Sequence, residues 1–239
     1  MSIAEKLQTI AENEQRVYDA GKAYGKKLWE SGFWDLYQEN GNRTNYLNAF
    51  RYGMWNDEYF NPKYPIKAVG DASYAFQNVS AEWKDKTLEV DLSEATNCTW
   101  IFRNSRFNHL GKIDFSSATT ASGTFSFMES LKSIREIVVH KDLHYDGAFA
   151  YATALEDVTF SGVIGQNGLN FQVSAKLSKE SITSIVNALS TTTSGLTVTL
   201  SKIAVIRAFA TASGANDGAT SQEWLNLVAT KSNWTISLV

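Results

Sequence analysis

His140 and His144 stand four residues apart with Asp142 and Asp146 among them. On a helix that spacing would turn two imidazoles toward one metal ion. Here it follows Ile137-Val138-Val139, which reads as a strand, and a third nitrogen would have to come from His109, so a solvated turn is assigned and no metal site. Acidic pairs such as Asp57-Glu58 invite comparison with glycoside hydrolysis, which needs two carboxylates at a set separation. With 25 acidic residues in the chain, such pairs are expected by chance. The sequence holds no Gly-x-Ser-x-Gly elbow, no glycine loop of the phosphate-cradling kind and no Cys/His nucleophile pairing. No catalytic residue and no cofactor is assigned, and a non-enzymatic role is expected. Cys98 is the only cysteine, which excludes an internal disulfide or a cysteine-based metal cluster. Its place within a repeat predicts a small, buried, unreactive side chain.

The remaining candidates suit contact rather than turnover. Asp91 and Asp114 recur 23 residues apart with Lys112 beside the second, and Glu136 and Asp157 follow on the next two apolar runs. Such a charged row is a solvated face that guards a sheet against edge aggregation, and solenoids also use broad faces of this kind for recognition. The second candidate surface is aromatic. Residues 24–64 hold twelve of the thirty aromatic side chains, with Trp55 and Tyr59 as the contacts assigned there. The competing reading of that segment is a cap whose bulky side chains cover the open end of a core.

The elements that must position these residues come from an internal repeat. Leu92-Ser93-Glu94-Ala95-Thr96-Asn97 returns 23 positions later as Phe115-Ser116-Ser117-Ala118-Thr119-Thr120. Leu92, Phe115, Val138 and Phe160 follow at 23, 23 and 22, and a second column, Phe76, Phe102, Phe125 and Phe149, follows at 26, 23 and 24. A period in this range means stacked units, none of which buries its apolar edge alone. Parallel strands are therefore predicted near 88–92, 112–116, 136–140 and 157–161, stacked in one sheet, with Glu89, Asp91, Lys112, Asp114, Glu136, Val138, Asp157 and Thr159 facing outward.

Residues 1–39 read as a helix. Ile3, Leu7, Ile10, Glu14, Val17, Gly21, Tyr24 and Leu28 alternate by four and three, a coiled-coil seam that predicts self-association. Residues 40–239 read as the solenoid, with an aromatic N-terminal cap over 40–69 and a C-terminal cap over 167–239. In the latter, helices are predicted from Ser178 and around Ile203 to Phe209, and Thr220 with Glu223 forms a capping box before a third. Strands are predicted at Leu196-Val198-Leu200 and Trp234-Ile236-Leu238.

A hydrophobic fraction of 44% and an aromatic fraction of 13% argue against disorder. A net charge of -3, with its 22 basic residues scattered, gives no support to nucleic-acid binding. The N-terminal segment lacks the basic and apolar regions of a signal peptide, and no apolar run approaches membrane-spanning length. Synthesis in the cytoplasm without membrane insertion is the expectation.

Residues 147–160, Gly-Ala-Phe-Ala-Tyr-Ala-Thr-Ala-Leu-Glu-Asp-Val-Thr-Phe, resemble the bacterial surface-type leucine-rich repeat, with a turn Phe149, then Leu155, Val158 and Phe160. Phe125, Leu131 and Ile134 repeat the first three, with an insertion before Ile137 and Val139. A longer resemblance runs through Met1-Ser2-Ile3-Ala4-Glu5-Lys6-Leu7, Phe33-Trp34-Asp35, Asn40-Gly41-Asn42-Arg43-Thr44-Asn45-Tyr46, Phe60-Asn61-Pro62-Lys63-Tyr64 and Gly162-Val163-Ile164-Gly165. These look like the leucine-rich-repeat-like proteins of prophages in gut Firmicutes. The resemblance implies an α/β leucine-rich-repeat-like solenoid with a parallel sheet. It also implies a non-catalytic, tail-associated structural or receptor-binding protein, located in the virion and homo-oligomeric through its N-terminal helix. Its partners would be other virion proteins and a bacterial cell-surface glycan or protein. The alternatives are a bacterial surface adhesion module and, less favoured, a polysaccharide-cleaving tail enzyme.

Overall fold

The computed structural model describes residues 66–79, 86–211 and 217–239 with their side chains and the backbone of Met54–Trp55 and Ser80–Ala81. It also describes nine single positions between residues 6 and 27, each helical and exposed. The seam positions from Ile3 to Leu28 and the aromatic residues of 24–64 lie outside the described residues, apart from the backbone of β1 (Met54–Trp55).

Among the described residues all pairing between strands is parallel. β1 pairs with β3 (Ser80–Ala81), and β2 (Ile66–Asp71) pairs with β5 (Val90–Asn97). A four-stranded sheet runs in the order β4 (Thr87–Leu88), β6 (His109–Asp114), β7 (Ser133–Val139), β8 (Asp157–Gly162). The sheets stack as a β-solenoid of about four turns. The predicted strand at 88–92 is divided in the structure: Leu88 joins the four-stranded sheet, whereas Val90 onward pairs with β2.

Register removes Val138 from the column of Leu92, Phe115 and Phe160 and leaves it on the outward side, where strand alternation also placed it. Ile113, Ile137 and Phe160 pair across the sheet, as do Leu110, Ile134 and Val158, and all six are buried. Val138 instead pairs with Asp114 and Ser161 on the half-exposed side. The slip arises at a bulge, where Ile134 to Ile137 oppose Val158 to Phe160, one residue more on β7 than on β8. Because side chains alternate with period two, one extra residue moves the rest of the strand to the other face. The insertion visible in the sequence before Ile137 is this bulge.

Each coil closes through a seven-residue turn at 72–78, 98–104, 121–127 or 145–151. In the first three turns alternate amides donate to carbonyls of the next coil, for example Phe76 N–H to Ile101 O (2.8 Å), Phe102 to Thr124 (3.0 Å) and Phe125 to Ala148 (2.9 Å). These turns thus carry their own ladder of hydrogen bonds. At the fifth position of every turn sits the phenylalanine column, its rings 5.3, 5.9 and 5.0 Å apart from Phe76 through Phe102 and Phe125 to Phe149. The column continues to Phe171, 4.4 Å beyond Phe149. All five are fully buried and form the spine of the core.

The open edge of β8 is covered by α1 (Lys179–Ala188). The Val158 amide donates to the Ser181 hydroxyl and the Phe160 amide to the Ser184 hydroxyl, both at 2.8 Å. Serines spaced by three lie on one helix face, so the helix supplies the acceptors a further strand would have given. Beyond it β9 (Asn170–Phe171), β10 (Leu196–Leu200) and β11 (Trp234–Leu238) form a three-stranded parallel sheet in the order β11-β10-β9. α2 (Lys202–Ala208) and α3 (Gln222–Ala229) both contact α1. The N-cap of α3 is Ser221, whose hydroxyl accepts from the Trp224 amide at 3.2 Å, one residue later than the predicted Thr220. Glu223 pairs instead with Lys179 of α1.

Candidate functional site

The outward polar row is built largely from turn-forming aspartates. Asp91 accepts from the Ser93 amide (2.9 Å) and hydroxyl (2.6 Å), and Asp114 accepts from the Ser116 amide (3.0 Å). Both are Asx turns, in which a carboxylate holds its own backbone two residues on. Lys112 lies 3.1 Å from Asp114, and Lys67 reaches both Asp91 and Glu94. Arg135 clamps Glu89 with two bonds of 2.6 and 3.0 Å across the face. Partial burial pushes the Asp91 and Asp114 carboxyls up. The serine hydrogen bonds and the neighbouring lysines outweigh it, so both end below the usual carboxylate range. Asp91, Lys112 and Asp114 come together around a shallow cavity of about 430 Å³. Glu136 sits opposite Lys112 on β7 and accepts from Ser161 Oγ at 2.7 Å, outside that cavity, and Asp157 is exposed at the start of β8. Tyr59 and the Trp55 side chain lie outside the described residues.

His140 is not a free turn residue: it is half-buried, and its Nε2 lies 2.7 Å from the Ala118 carbonyl. His144, Asp142 and Asp146 are exposed. Cys98 is fully buried and its thiol is pushed up to about 12 by burial, with Asp71 adding to the shift, so the reactive thiolate is scarce at neutral pH.

A second surface was not visible as a pattern. The third position of each turn holds Tyr74, Trp100, Gly123 and Gly147, and the seventh holds Asn78, Asn104, Phe127 and Tyr151. All eight have φ between 56° and 64°. The left-handed region favours glycine and asparagine and costs a bulky side chain roughly 1–2 kcal/mol. Four aromatic residues nonetheless occupy it. Tyr74 packs edge-on against Trp100 at 5.3 Å, and Phe127 stacks on Tyr151 at 4.5 Å. The Arg103 guanidinium joins the two pairs, 5.1 Å from the Trp100 ring and 5.0 Å from the Phe127 ring. Trp100 lies across Gly123, where a Cβ would stand 2.2 Å from the indole. The result is an ordered aromatic ridge with Trp100, Phe127 and Tyr151 38, 37 and 53% exposed.

At the C-terminal end of the ridge Tyr151 borders a cleft of about 740 Å³ between the last turn and the β9-β10 edge. Asn167, Asn170, Gln172, Thr197 and Thr199 line it. Gly168, at φ +102°, lets the loop lie against Asp146, where a Cβ would come within 2.5 Å of Oδ1.

No protein-family model matches this chain, and comparison with curated proteins and with solved structures finds no match.

Proposed function

We propose that this chain is a non-catalytic recognition protein: a leucine-rich-repeat-like solenoid of a phage or prophage tail that contacts a glycan or protein on a bacterial cell surface. The observation that carries this reading is the aromatic ridge. Strained backbone conformations that bear exposed rings cost folding energy, and such outliers point toward function when the rings are held in order at the surface. The sheet face supports the same reading by contrast. Its aspartates are committed to turns and ion pairs and held ionised, the opposite of what a general acid requires. Oligomerisation, joining copies of the chain and other virion proteins, is assigned to the segment 1–39 whose sequence reads as a coiled-coil seam.

Whole-cell pull-down and a glycan array test the reading. The turn columns supply substitutions that the backbone already accepts: Trp100→Gly copies Gly123 and Phe127→Asn copies Asn104. The double variant is expected to keep its melting transition and lose at least tenfold in binding to gut Firmicutes cells. Asp91→Asn with Asp114→Asn, which keeps both turn acceptors, is expected to leave binding unchanged. Binding that survives the first pair and fails with the second returns the site to the charged face. Hydrolysis of a cell-wall or capsular polymer rejects the non-catalytic role.

A further inference from the structure

We propose that the cleft beside Tyr151 is a binding site for a neutral oligosaccharide. The inference rests on reading the ridge as a recognition surface, and it assigns a ligand class to one place on it.

Three observations carry it. First, the Tyr151 ring is 53% exposed at the mouth of the cleft and is backed by Phe127 at 4.5 Å, with an interplanar angle of 17°. A flat ring held from behind offers one open apolar face, which suits the C–H face of a sugar ring. Second, the polar side chains that line the cleft are neutral amides and hydroxyls, with the Asp146 carboxylate set against Gly168 at its wall. Asn167 Oδ1 accepts from the Thr197 amide at 2.8 Å, and Asn170 Oδ1 accepts from the Gln172 amide at 2.9 Å. Each bond fixes its asparagine with the side-chain NH₂ pointing away from that backbone donor. Sugar hydroxyls both donate and accept, so fixed amides and threonine hydroxyls match them. An anionic ligand would find no cation there, and a purely apolar one would leave these groups desolvated and unpaired.

Third, the turn column is emptied where the cleft opens. Tyr74 and Trp100 fill the third turn position in the first two coils, and Trp100 covers the coil that follows. Gly147 occupies the same position with φ +64°, and nothing lies within 4 Å of where its Cβ would be. The last coil therefore presents open space where an earlier one presents an indole. The volume of about 740 Å³ falls within the usual range for small-ligand sites and leaves room for more than one sugar ring.

The same column supplies the test. Gly147→Trp repeats the arrangement of Trp100 and fills the cleft without removing a lining side chain. Tyr151→Asn repeats Asn78 and Asn104 and removes the stacking ring. Titration calorimetry on the full chain with chitohexaose and cellohexaose, beside an array of neutral glycans, is expected to find a binder. Both variants are expected to weaken it at least tenfold while retaining the near-UV circular dichroism of the parent. If Gly147→Trp fails to fold, the Tyr151→Asn result decides. Wild-type protein that binds no neutral glycan, or binding that persists in folded variants of both kinds, overturns the assignment. Cell binding that depends on Trp100 and Phe127 without any neutral-glycan binding defeats this inference and leaves the recognition reading standing. Loss of cell binding as well defeats both.

Discussion

At the scale of single residues, the same side-chain type does different work according to where the coil places it. Phe149 touches Phe125, Phe160 and Phe171 in the spine, with ring centroids 5.0, 6.4 and 4.4 Å away. Phe127, two residues on from the spine's Phe125, is spent at the surface. Truncating Phe149 to Ala removes a ring from a close-packed stack and is expected to cost about 3–5 kcal/mol in denaturant unfolding, whereas Phe127→Asn is expected to be close to neutral. The aspartates make a separate prediction. Because the folded state holds Asp91 and Asp114 below their ordinary pKa, their contribution to stability is fully present above about pH 4. It is lost as the pH falls through the lowered folded-state values. Unfolding free energy measured between pH 2 and 6 should fall on the acid side, and Asp91→Asn with Asp114→Asn should make that fall shallower. An unchanged acid limb would mean that the Ser93 and Ser116 bonds are as strong to a neutral amide as to a carboxylate.

At the scale of elements, legibility followed chemical uniformity. The phenylalanine column was readable because one residue type recurs at one position, and the bulge was readable as an extra residue before Ile137. The left-handed columns were not, because the fold fixes φ there rather than a side chain, and Tyr, Trp, Gly, Asn and Phe all appear in them. The charged row was found without its turn role: Asp91-x-Ser93 and Asp114-x-Ser116 are local turn signatures, and that i to i+2 spacing was the available signal. Leu88 to Leu92 looked like one strand because hydropathy alternates through it, while the hydrogen bonds divide between two neighbours. The edge cap was hidden because Ser181 and Ser184 are polar residues on a helix face otherwise read for Ile182, Ile185 and Val186. Replacing both serines with Ala would leave the amides of Val158 and Phe160 without acceptors at a buried edge. That should cost about 1–3 kcal/mol per amide, with hydrogen exchange at those two amides accelerating before that of β6. Exchange accelerated uniformly across the sheet would show that the helix holds the whole solenoid rather than its last strand.

At the scale of the whole molecule, coils that contact only their neighbours should behave as interchangeable layers. Asp114 and Val138 are register partners in adjacent strands, so residues 115–138 span one full turn of 24 residues. Deleting them joins Asp114 to Val139 with the pleat, the turn and the inward face all in phase, and brings Phe102 directly onto Phe149. The αL positions also remain aligned, with Trp100 above Gly147 as it now lies above Gly123. A deletion of 115–126 removes half as much chain, 12 residues, but takes Phe125 out of the spine and leaves the strand after Asp114 out of phase with its neighbours. Size alone would favour the smaller cut. Phase predicts the reverse: the 24-residue deletion retains a β-rich circular dichroism spectrum and a cooperative thermal transition, and the 12-residue deletion shows neither. In the shortened protein Trp100 would lie over the cleft that Gly147 leaves open, so it should also lose neutral-glycan binding while remaining folded. If both deletions unfold, the layers are held by long-range constraints from the C-terminal cap rather than by stacking between neighbours.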